Sequence, residues 1–241
     1  MASTEAIVLR GKIQGYSVRR EAANFFFTQT DQRTLGMVAI GAAMVGASGP
    51  AMGTAISASD VEEEADHVEF SLDGKPVSGW VWRSPFAEGD EVEVVAEREG
   101  DRYAAVAITR PADRMIAMYP HLSRGRWSHI LNALKWWFWG MTIFSVFFML
   151  LGGVVWGFMG TFIFSAEVAP QFLVVLLILY ALMLLPTIHL TWRYMHFVKA
   201  AETVFNALGW KNAGRIDLNK TSKAGKQGNE PPEYGTYYFR Y

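Results

Sequence analysis

The chain has 241 residues, of which 51% are hydrophobic and 19% charged, and its net charge is −1. That length accommodates one soluble domain of about 100–150 residues beside a membrane unit, and a near-neutral balance without a long basic stripe gives nucleic acid no footprint. There is no cysteine, which excludes disulfides, thiolate metal sites and cysteine nucleophiles.

The N-terminus, MASTEAIVLRGKIQGYSVRR, has no basic start followed by an apolar run, so no cleavable signal peptide is expected. Residues 6–30 and 67–110 read as β structure. The first alternates as IVLRGKIQGYSV, and the second breaks into short β-prone runs at Asp73-Gly74, Glu88-Gly89-Asp90 and Glu99-Gly100-Asp101. Five or six short strands with tight turns predict a small cytoplasmic β-barrel, OB-like or SH3-like, over residues 1–110.

An insertion divides those strands. Residues 34–59 carry no formal charge, and 12 of these 26 residues are Gly or Ala. Gly41, Gly46, Gly49 and Gly53 admit two readings. They form either a packed or flexible loop, or a glycine zipper that enters the membrane, packs against copies of itself and lines a pore. A full crossing is not expected, because it would put the two halves of one barrel on opposite sides. An acidic run follows, and Glu62, Glu63, Glu64 and Asp66 are candidates for a cation-attracting pore mouth.

Residues 111–135 read as a basic amphipathic linker. Arg124, Arg126 and Lys135 are expected near headgroup phosphates, or as plain positive flanks of a span. Trp136, Trp137 and Trp139 then form an aromatic belt. From Lys135 to Arg193 only Glu167 is formally charged between the ends, leaving apolar runs 136–166 and 168–192. Each exceeds the roughly 20 residues that cross a hydrocarbon core. A carboxylate at mid-bilayer costs about 2.5–3.5 kcal/mol, so Glu167 belongs in a turn outside it, and 136–198 reads as a transmembrane hairpin. Gly152, Gly153, Gly157 and Gly160 smooth one side of the first helix for close packing, by default against the second span, or else against another copy. His189, Arg193 and His196 share a helical face at the end of the second. Two histidines there lack a third metal ligand, so no metal is expected. The tail, 199–241, reads as a helix ending at Gly209, an extended polar segment, and EYGTYYFRY, which adds a strand to the barrel or docks on a partner.

Basic residues flank both ends of the pair and none lies in its turn. The positive-inside rule thus predicts a multi-pass protein with both termini cytoplasmic. No G-x-S-x-G, P-loop, H-E-x-x-H or Rossmann pattern occurs, so neither catalysis nor a cofactor is expected.

The segments LDGKPVSGWVWRSPFAEGDEVEVVAE, RPADRMIAMYPHLSRGR and LGWKNAGRIDLNKTSK resemble a family of proteobacterial membrane proteins described as type VI secretion system effectors. The resemblance covers nearly the whole chain. It implies a bacterial inner-membrane location and association with the secretion system, and it carries no catalytic residues. Two functions compete, the first as the leading reading and the second as its alternative. One is an effector that forms homo-oligomers and permeabilises the lipid bilayer. The other is a resident immunity or accessory protein whose cytoplasmic β domain binds a toxin or a component of the secretion machine.

Overall fold

The computed structural model describes residues 6–23, 25, 63–158, 169–226, 228 and 230–241. Glycines 41, 46, 49, 53 and 160, with Glu62 and Glu167, lie outside them. The chain divides into two compact units, residues 1–128 with 195–241, and residues 129–194.

The first unit is a β-barrel with additions. Its strands are β1 (Ile7–Ala23), β2 (Glu63–Leu72), β3 (Lys75–Val81), β4 (Glu91–Glu99) and β5 (Arg102–Arg110). They hydrogen-bond in the order β3-β2-β1-β4-β5, and a parallel β3–β5 pairing closes the ring. Strand β1 serves two neighbours in succession. Residues 7–12 pair with β4 and residues 13–23 with β2. The change occurs at a bulge between Gln14 and Ser17, where Gly15 takes a left-handed φ of 66°. Amides freed by the bulge find a carboxylate: Gly15 and Tyr16 donate to Glu88 at 3.1 and 2.7 Å.

The expected turns are where the sequence signals placed them. Asp73 and Gly74 both have positive φ, the conformation of a type I′ hairpin. At the closing seam, a Cβ on Gly79 would overlap the carbonyl oxygen of Ala105, so β3 and β5 meet only because residue 79 has none. Inside the ring Ile13, Val68, Leu72, Val77, Val81, Val94 and Ile108 form the core.

Two further strands extend the sheet from β5. These are β6 (Met115–Met118), buried throughout, and β7 (Tyr238–Arg240). The C-terminal aromatic segment therefore does add a strand, beside β6. The rest of residues 111–135 is not the separate basic linker expected from sequence: 115–118 belong to the sheet, and α1 (Arg126–Phe158) begins at 126. Nor is the segment after Gly209 extended. It forms a short 3-10 turn (Ala213–Arg215) and α4 (Leu218–Ala224). Asp217 caps α4 by accepting from the Lys220 amide at 3.2 Å, a local signal masked by the polar composition of that stretch.

Helix α3 (Met195–Ala207) packs Phe197, Val198, Ala200, Ala201, Val204 and Phe205 inward. Its end is a Schellman motif: Trp210 donates to the Phe205 carbonyl, Gly209 to that of Asn206, and the Trp210 ring stacks on Phe205 at 5.5 Å.

The second unit holds most of α1 and α2 (Ala169–Arg193). Both are long and apolar enough to span a membrane. Only 6% of the first apolar window and 0% of the second is buried, which separates them from core helices of a soluble protein. A His129 ring nitrogen lies 3.4 Å from the Thr191 carbonyl oxygen, and Trp137 meets Tyr180 edge-on at 5.6 Å. Gly152, Gly153 and Gly157 lie in α1. Among the described residues, nothing lies within 4 Å of where a Cβ on Gly153 would be.

Candidate functional site

The segments PHLSRGR and NAGRIDLN, about 90 residues apart, meet at the foot of α1. Gly125 donates to the Ile216 carbonyl at 2.9 Å, Leu218 to that of Ser123 at 3.0 Å, and Ser128 Oγ to that of Arg215 at 2.7 Å. The approach requires Gly125, whose added Cβ would overlap the Ala213 carbonyl oxygen. Arg124 Nε reaches buried Asp217 at 3.3 Å. From α3, Glu202 accepts from the Arg126 amide at 2.7 Å and from its guanidinium at 3.1 Å. A carboxylate thus satisfies an orphan donor in the first turn of α1.

These contacts leave an open polar cleft of about 560 Å³. Arg126, Trp127, Glu202, Asn206, Asn212 and Arg215 line it, together with Gly214. A Cβ on Gly214 would lie 3.3 Å from the Trp127 ring, so a larger residue would crowd that ring. Arg126 uses its side chain on Glu202, whereas Arg215 is exposed and its guanidinium has no carboxylate partner among the described residues. Trp127 is 58% exposed.

A second cluster lies along β2 and around His121. Here three of the four acidic residues expected at a pore mouth, all but Glu62, have partners. Glu63 pairs with His121 at 2.9 Å, Glu64 with Arg20 at 2.8 Å, and Asp66 with Arg20 at 3.0 Å. Asp66 is also 3.8 Å from Arg83 and accepts the Ser84 amide at 2.8 Å. All three belong to β2, and the ladder sets Arg20 directly opposite Asp66. These carboxylates thus make ion pairs within the β unit. His121, at a left-handed φ of 69°, meets Trp82 at 5.1 Å and Phe197 at 5.3 Å. Burial lowers its pKa, and the neighbouring Glu63 carboxylate opposes that shift.

The residues expected at a membrane interface divide. Lys135, Trp136 and Trp139 are exposed on α1, Trp137 packs on Tyr180, and Arg193 ends α2. Arg124 is instead turned to Asp217. Arg215, Glu202, Trp127 and the two asparagines were missed as a group. The only sequence signal for them was the WKNAGR motif, whose partners lie far away in the chain. Among the described residues, no three His, Asp or Glu side chains gather to hold a metal.

No family model, curated protein or solved structure matches the chain.

Proposed function

We propose that the chain is an integral bacterial inner-membrane protein that crosses twice as a helical hairpin, and that its OB-like barrel is a cytoplasmic recognition platform acting in type VI secretion. The observation that carries the membrane part is the uncovered apolar surface of α1 and α2, almost none of which the chain itself buries. A shared side for both termini is supported by β6 and β7, which precede and follow the helical unit yet pair in one sheet. Arg126, Lys135, Arg193, Lys199 and Arg215 at the two ends support the cytoplasmic choice. The strand order, with antiparallel neighbours and one parallel closure between β3 and β5, supports the OB-like reading.

Single cysteines in this cysteine-free chain test the topology. A reporter at position 167 should label only from the side opposite one at Lys75. Labelling of both from the same face rejects the hairpin. For the role in secretion, the ion pairing of Glu63, Glu64 and Asp66 favours recognition over a cation pore. Affinity capture should retrieve a toxin or component of the secretion machine, and deletion should abolish self-protection or toxin loading. Unchanged secretion and protection reject this role.

The permeabilising, homo-oligomeric effector is the second reading. It is supported by Gly153, whose Cβ position meets nothing within 4 Å among the described residues and so leaves room for another copy's helix. Expression would then collapse the membrane potential. A steady potential with full insertion counts against it.

A further inference from the structure

We infer that the cleft at the foot of α1 is a headgroup site for an anionic phosphodiester lipid whose headgroup is uncharged and hydroxylated, of the glycerol type. The inference rests on the membrane reading above and adds a ligand to it. Arg126 and Trp127, two of the cleft's walls, are also the first two residues of the first candidate span. Two of the cleft's lining residues thus begin that helix, and one of them, exposed Trp127, is of the type enriched at membrane–water interfaces.

Charge sets the class of ligand. Two arginines and one glutamate leave a single net positive charge, matched by one phosphodiester. Both Glu202 oxygens are engaged by Arg126, so no carboxylate remains for an ammonium group such as a choline or ethanolamine headgroup carries. Arg215, exposed and without an acidic partner among the described residues, is the phosphate donor. Asn206 and Asn212, both exposed on the cleft wall, offer amides to hydroxyls. A volume of about 560 Å³ exceeds what such a headgroup fills and leaves room for water.

The test uses the purified full chain in nanodiscs of equimolar phosphatidylglycerol and phosphatidylcholine, with retained lipids counted by native mass spectrometry. The wild type should retain phosphatidylglycerol preferentially. Arg215→Gln should lower that preference about fivefold, the contribution of one juxtamembrane arginine. Asn212→Ala should lower it less, and Lys75→Gln, at the start of β3, should leave it unchanged. Circular dichroism melts that match wild type show that each variant folds. Equal retention of both lipids by the wild type, or an unaltered preference in Arg215→Gln, overturns the proposal while the protein remains membrane-bound. Displacement of the lipid by soluble glycerol phosphate at equal concentration overturns it in favour of a soluble anion. Recovery of the chain in the lipid-free fraction overturns the membrane reading itself, and this proposal with it.

Discussion

Gly125 and His121 show how single residues tie the β unit together. At position 125 the added methyl of alanine has nowhere to go, because the atom it meets is the Ala213 backbone carbonyl and not the end of a flexible side chain. Overpacking of that kind costs about 1–3 kcal/mol. Gly125→Ala should lower the melting temperature of the detergent-solubilised chain by several degrees, whereas Gly140→Ala, with open space around it, should leave it in place. At His121 the folded-state pKa lies below the ordinary value of about 6.5, so the folded form resists protonation. Its contribution is fully present above that value and fades as pH falls through the depressed folded pKa. Melting temperature should therefore drop on acidification below about pH 6.5. His121→Asn, which tolerates the left-handed backbone, should flatten that decline. An identical acid limb in the variant rules out His121 as its source. The pairing of Arg20 with Asp66 was half legible: RRE and EEEAD are complementary runs, but only the register of β1 on β2 says which charges meet.

Among the elements, the strands joined by tight turns were readable because each turn has a local chemical cause. Asp73-Gly74 and Glu99-Gly100-Asp101 supply residues that accept positive φ, and alternation marks the inward face. The closing seam was not readable, since β3 and β5 are parallel and separated by β4, and nothing in VSGW or YAAVA names its partner. Their small residues make sense only once the two backbones are seen to touch. Gly79→Val should therefore open the barrel at one place: hydrogen exchange should accelerate in 77–79 and 103–105 before it does in the β1–β4 ladder. Uniform acceleration would mean that the seam is not a local weak point. The polar tail was misread for a related reason. Its seven-residue α4 is too short to show a period and is held by Asp217, Arg124 and Ser123, which are contacts with a segment far back in sequence. The long helices were legible at once, because charge exclusion over a span is a property of composition and needs no partner.

Considered whole, the molecule is a β unit interrupted once, by the residues 129–194 that carry most of two apolar helices. The core residues of that unit come from before and after the interruption, as Ile116 and Phe239 show by pairing in adjacent strands. If the helices serve the membrane and not the barrel, replacing 129–194 by a short Gly/Ser linker should yield a water-soluble protein with a β-type circular dichroism spectrum and a dispersed amide spectrum. Aggregation of that variant would show that the barrel depends on the helices. The pairing of β6 with β7 also imposes an order of events during synthesis. β6 is made before the helices, and its neighbour β7 only after them. One edge of the nascent sheet must consequently wait, unpaired, while both helices are synthesised. A message cut short between α2 and β7 would thus produce a chain with both helices made and its sheet left unsealed, a natural substrate for quality-control proteolysis.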